Sequence, residues 1–321
     1  MMIRPANLVM GCSILILSVS SCQMKENTLD KTARHELVTV LNEQQGFIKA
    51  HAAEYLLGVG DTAEVKKVFL RENELHGTEP RYRIVIWRVL AQTEGTPEGK
   101  MKWARKVLAV FGNREAPDRL HASETLARLG ISPLEELGEA TRNALASPSP
   151  NLRVYTRWAI SFSSDSVLQE SRLRFLEMVA RDSMLDIRKI SAYILRHIKG
   201  LSGAQWSELA TEALSESGAT GFRQNFLNTA FVTFPGNGAD TALYRKVTEA
   251  VRHGALAFSA EDRIGLAQAL AEKGGPDAIP LLTAYLANKE TGGHFEAESA
   301  VGADVRAAAA YAILKIDGRN Q

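Results

Sequence analysis

Cysteine is almost missing from this chain. Two occur, Cys12 and Cys22, and the 299 residues after them contain none. That excludes disulfide staples and a cysteine nucleophile from the body of the protein, whose stability must come from its core. An excess of charge of one sign is missing as well. Lys+Arg total 38 against 37 for Asp+Glu, a net +1, so there is no global case for a nucleic-acid partner. Strand-like alternation closed by hairpin turns is absent. So are G-x-S-x-G, G-x-G-x-x-G, a P-loop and H-E-x-x-H, and the hydrolase, dinucleotide, NTPase and zinc-protease chemistries they carry. No catalytic constellation emerges, and no cofactor is expected. What is present is 45% hydrophobic residues, ample for a core.

The first 22 residues stand apart. Arg4 supplies a thin positive start, and Leu8 to Ser20 is apolar but too short for an ordinary membrane span. Val19-Ser20-Ser21 before Cys22 resembles a bacterial lipobox. The resemblance implies a signal peptide over 1–21, lipidation of Cys22, and a short polar tether over 22–30; an ordinary signal peptide cut near Ser21 is the alternative. It places the protein in the cell envelope as an outer-membrane lipoprotein, on the periplasmic or the surface face. Contact with the membrane is then through the lipid anchor only.

From residue 31 to 318 the chain repeats, leaving a tail at 319–321. Lys49, Arg83, Arg119, Arg153, Arg188, Arg223, Arg263 and Arg306 are spaced by 34, 36, 34, 35, 35, 40 and 43 residues. Each opens a helix-like run with the same apolar pattern, so this register counts eight helix pairs. With the register residue as zero, position +3 reads Ala52, Ile86, Ala122, Thr156, Ser191, Phe226, Leu266, Ala309. Position +7 reads Leu56, Leu90, Leu126, Ile160, Leu195, Ala230, Leu270, Ile313. At about 3.6 residues per turn these rows share one stripe, which neighbouring pairs must stack to bury. Helix starts carry Pro or small polar caps, as at Pro117, Ser132-Pro133 and Pro148 to Asn151. Gly60, Gly130, Gly200 and Gly318 mark ends.

Asp186-Ile187-Arg188 and Asp304-Val305-Arg306, with Asp277 to Leu282 around an internal Pro280, resemble the HEAT-repeat family. The resemblance implies an all-α, right-handed α-solenoid of about eight HEAT-like helix pairs. It also implies an Asp/Arg ladder between repeats and a concave face lined by the second helix of each pair. Phe47, Arg81 and Gly221 depart from the acid of the motif. An arginine fork can bridge to a neighbouring carboxylate or carbonyl. The register is therefore structural first, with an anion-binding stripe as its functional alternative.

The rows opposite the core stripe are +5, +9 and +2. Two patches stand out in them. One is charged: His51, Glu54, Arg88, His121, Glu124 and Arg128, with Glu54, Arg88 and Glu124 on successive repeats as a salt-bridge ladder. The other is aromatic: Tyr155, Trp158, Phe162, Tyr193 and His197, the residue types that hold peptides or sugar rings, or rings that pack against first-helix side chains or adjacent repeats. The groove candidates are thus Tyr155, Trp158, Phe162, Tyr193, His197, Glu54, Arg88 and Glu124. The paired phrases His51-Ala52-Ala53-Glu54 and His121-Ala122-Ser123-Glu124 suggest a metal site as a minor alternative, since His and Glu three apart share a helix face. They resemble deoxyhypusine hydroxylase, a helical-repeat di-iron enzyme, yet lack its adjacent His-Glu pair. Helix spacings of about 8–10 Å would also hold the two phrases roughly 15–20 Å apart unless the array curves strongly. Residues 288–303 look like a long loop that accounts for the 43-residue spacing.

The expected function is that of an exported, lipid-anchored scaffold that binds a protein segment or a glycan along its concave face. One alternative is a metal-dependent or lyase-like enzyme using the His/Glu patch. Another is a purely structural envelope spacer.

Overall fold

The computed structural model describes residues 28–216, 220–287 and 296–320. The leader, Cys22, most of the tether and residues 288–295 lie outside that range. Among the described residues there are sixteen α-helices and no strand. They follow one another as eight consecutive pairs, seven of them packed as hairpins; in the seventh pair the first helix packs on the sixth pair instead. The first four are α1 (Thr28–Glu43) with α2 (Gly46–Gly58), α3 (Thr62–His76) with α4 (Tyr82–Thr93), α5 (Pro97–Gly112) with α6 (Arg119–Arg128), and α7 (Gly138–Leu145) with α8 (Pro150–Ile160). The last four are α9 (Asp165–Arg181) with α10 (Leu185–Ile198), α11 (Gly203–Ser215) with α12 (Thr220–Thr233), α13 (Thr241–Arg252) with α14 (Ala260–Lys273), and α15 (Ile279–Leu286) with α16 (Glu296–Asn320). The eight register residues fall on the eight even-numbered helices.

The apolar stripe explains the packing. All eight residues at +3 are 0% exposed, and seven of the eight at +7 are buried, Ile160 being half-exposed. Start signals work through the backbone. Ser149, Ser164, Asp240 and Ser259 accept from free N–H groups of the first turn, and Ser202 with Gln205 completes a capping box.

Some boundaries differ from expectation. Ser132-Pro133 opens a turn, and α7 begins only at Gly138. Gly318 lies inside α16 and does not end it. Residues 296–303, read as loop, are the first turns of α16; they are rich in Glu and Ala, which favour helix. Pro280 does more than bend its helix. It cannot donate to the carbonyl of Pro276, and the segment divides into a 3-10 turn, Pro276–Ala278, followed by α15.

Five of the eight register residues tie their hairpin to the next one, whereas Arg153 and Arg263 donate to carbonyls of the turn before their own helix, those of Ser147 and Leu256. Lys49 donates to Glu72 at 2.8 Å, and Arg83 forks onto Asp118 at 2.7 and 3.0 Å. Arg119 donates to the carbonyl of Ala140 at 2.9 Å, and Arg188 to Glu212 at 3.1 Å. Arg306, the last of them, donates to Glu36 of α1 at 2.7 Å.

The hairpin after the eighth is therefore the first. α16 packs on α14 on one side and on α1 and α2 on the other, so the array closes on itself as a ring. Eight pairs that turn in one sense need about 45° each for this. The even-numbered helices line the inside, each in contact with the next. The seam is sealed from within by Tyr55 of α2 and Tyr311 of α16, stacked at 4.8 Å. It is closed further by His51 Nδ1, 2.9 Å from the Asp304 carboxylate. Gly58 makes room for this: a Cβ there would stand 2.8 Å from Cε2 of Tyr311.

Closure predicts the sign of one substitution. In an open array Gly58→Val would be close to neutral, because valine favours helix slightly more than glycine. In the ring it should cost about 1–3 kcal/mol in a urea melt, because it overpacks the seam. Hydrogen exchange should then quicken in α1, α2 and α16 together. Unchanged stability would count against the closed seam.

Candidate functional site

The ring turns rows +2, +5 and +9 toward one another across its centre. Glu54 on α2 is the hub. Arg88 Nε donates to its Oε1 at 2.6 Å, and Arg128, two hairpins away, donates to its Oε2 at 2.8 Å. Arg128 also lies 3.5 Å from Glu124. The expected ladder Glu54–Arg88–Glu124 is therefore Arg88–Glu54–Arg128–Glu124, with Arg128 as the link. The long Arg128 side chain spans from the third hairpin to the first across the curved inner face. Burial alone would raise the Glu54 carboxyl; the guanidinium groups of Arg128 and Arg88 outweigh it and hold it at about 2.

The aromatic patch sits beside this hub. Trp158 is 1% exposed, and its ring meets Tyr193 at 5.9 Å and His197 at 5.3 Å. Tyr193 and His197 are 4.3 Å apart, and His197 Nδ1–H donates to the Tyr193 carbonyl at 2.9 Å. Desolvation lowers the His197 imidazole to about 4, so it is neutral at pH 7. Tyr155 packs on Trp158 at 6.4 Å, while Phe162 faces outward at 37% exposure.

A pocket of about 330 Å³ lies between these groups and the seam. On one side its wall is His51, Glu54 and Tyr55 of α2 with Arg128 of α6. On the other it is Tyr193, Arg196 and His197 of α10, Gln268, Ala269 and Glu272 of α14, and Tyr311 of α16. Gln268 Nε2 donates to the Tyr55 hydroxyl at 2.9 Å, and Glu272 lies 2.7 Å from Lys199 Nζ.

Among the eight groove candidates, Glu54, Tyr193 and His197 line the pocket. Arg88 and Trp158 are buried behind the wall and support it, and Tyr155, Phe162 and Glu124 are outside its lining. The two patches, expected at separate places along a groove, meet in one chamber.

The possible metal ligands His51, Glu54, His121 and Glu124 are not gathered around a common point. No group of three or more His, Cys, Asp or Glu among the described residues could hold a metal ion. His51 is engaged by Asp304, and two guanidinium groups occupy the space beside Glu54 that a cation would need. Five other polar or aromatic wall residues were not singled out from the sequence. Gln268, Glu272 and Tyr311 do stand in rows +5 and +9, but nothing along the chain says those rows come round to face Glu54. Tyr55 and Arg196, at +6 and +8, flank the rows and carried no signal.

No protein-family model matches the chain, and neither does any curated protein or solved structure.

The Glu54 hub makes the protein acid-sensitive in a defined direction. Its folded value of about 2 lies below the ordinary 4.5, so its contribution is complete above pH 4.5 and is lost as pH falls toward 2. Stability measured against pH should fall through that window in the wild type, and Glu54→Gln should flatten the fall. Glu54→Ala leaves Arg88 and Arg128 without their shared carboxylate and should cost about 3–5 kcal/mol at pH 7.

Proposed function

We propose that this protein is an exported, lipid-anchored binding protein of HEAT-like construction that takes the end of a glycan into its central pocket. One observation carries the reading. Three tyrosines share a single concave chamber with planar hydrogen-bonding groups, those of Arg128, Arg196, His197, Gln268 and Glu272. Aromatic faces suit the apolar face of a sugar ring, and amide, carboxylate and guanidinium groups suit its hydroxyls. The volume of about 330 Å³ is at the lower end of ligand pockets and suits one or two sugar units.

The contact between Arg128 and Glu54 crosses the inner face. That favours a compact ligand over a protein segment laid along an open groove. An enzymatic role draws less support. Of the pocket's two carboxylates, Glu54 is held far below the range in which a general acid works, and Glu272 is paired with Lys199. The lipid anchor rests on Cys22 and its lipobox-like surroundings. No helix among the described residues is long and apolar enough to cross a membrane.

A panel of neutral and acidic oligosaccharides tests this by thermal shift and calorimetry. A true ligand at about a hundredfold over its Kd should raise the melting temperature by about 5 °C. Gln268→Ala combined with Tyr311→Ala should weaken it by about tenfold or more while the helical signal persists. A panel without binders, or binding that ignores both substitutions, would sink the reading.

A further inference from the structure

Within the pocket wall one group is out of balance. Arg196 is 6% exposed, yet its Nε has no hydrogen-bond partner among the described residues, and none of their carboxylates pairs with it. Its guanidinium lies over the Tyr193 ring at 5.3 Å, which orients the fork without neutralising it. The neighbouring charges are already engaged. Glu272 is held by Lys199 at 2.7 Å, and Glu54 is shared by Arg88 and Arg128. Arg128 is also occupied by Glu124, and His197 adds no charge at pH 7. A buried cation with no carboxylate in bonding contact is costly: desolvation depresses its proton affinity, and the Glu272 charge, acting from beyond ion-pair distance, does not make up for it. A fold would discard such a group unless something bound there made use of it.

We propose that Arg196 anchors the carboxylate of an acidic saccharide, a uronic-acid unit, in the central pocket. This rests on the reading of the pocket as a sugar site and adds the class of sugar. The guanidinium fork matches a carboxylate in two parallel hydrogen bonds. A singly charged anion is what one unmatched arginine balances, whereas Glu54 and Glu272 on the same wall repel a phosphate dianion. With the carboxylate on Arg196, the sugar hydroxyls fall to Gln268, Glu272 and the tyrosine hydroxyls.

The test uses full-length protein with uronate-ended disaccharides, their methyl esters, and a tripeptide with a free C-terminal carboxylate. The variants are Arg196→Met and Arg196→Lys. Without ligand, Arg196→Met should melt higher than the wild type, because it removes an unpaired buried charge. The wild type should bind the uronate at least about tenfold more tightly than its ester. Arg196→Met should bind the two alike, and Arg196→Lys should keep part of the preference. Equal binding of acid and ester by the wild type would overturn this inference and leave the sugar site standing. Binding of the tripeptide but of no sugar would overturn the sugar site and this inference with it, as would binding of neither. A lower melting temperature for Arg196→Met with an unchanged acid preference would make Arg196 a structural residue and overturn the assignment.

Discussion

An amphipathic hairpin cannot bury its stripe alone, and a stack of them leaves a raw face at each end. That constraint governs this molecule. Open arrays meet it with terminal repeats whose outer side is polar. This chain meets it by joining its ends. Ala33, Leu37, Val40 and Leu41 of α1 are 0–2% exposed, although α1 begins the array. α16 is covered by α14, α15, α1 and α2, and Ala307 to Ala310, Ala312 and Ile313 are all 0% exposed. A helix buried on nearly all sides has no polar face to offer solvent.

The seam uses the same chemistry as the interior joints. Lys49, Arg83, Arg119 and Arg188 reach a carboxylate or carbonyl of the following hairpin, and Arg306 does so with Glu36 of the first. Closure then determines the character of the site. An open concave face presents its rows to solvent in sequence order. In the ring those rows face one another, and a charge on one hairpin must be satisfied by hairpins that are not its neighbours. Arg128 and Glu54 are the clearest case, with 74 residues between them. The pocket is what remains once such pairs have met, and Arg196 is the wall group that no pair satisfies.

The helices and their core faces were legible along the chain because both depend on local periodicity. A 3.6-residue stripe forms whatever the partner, and the eight +3 positions were read correctly as core for that reason. The boundaries that differ are those where turn signals and helix propensity compete, at Ser132-Pro133, at 296–303 and at Gly318. Closure left one trace that went unread. The run Ala307-Ala308-Ala309-Ala310 before Ile313 is too apolar for the outer face of a terminal hairpin. The candidate site was legible only in halves. Glu54, Tyr193 and His197 stand in the right rows, whereas Trp158, in the same row as Glu54 and Tyr193, is buried, since exposure cannot be read from row position alone.

The amino-acid sequence by itself determined an all-helical chain of eight helix pairs, the residues that bury their stripes, and the register of cations, five of which join one pair to the next. These follow from spacing, and spacing is a property of the chain. The tertiary structure alone decided that the array closes, that its two patches share one chamber, and that Arg196 enters that chamber without a carboxylate bonded to it. A rotation of about 45° per pair is the sum of many small packing differences. No single residue encodes it, yet repeated eight times it separates an open groove from a closed ring.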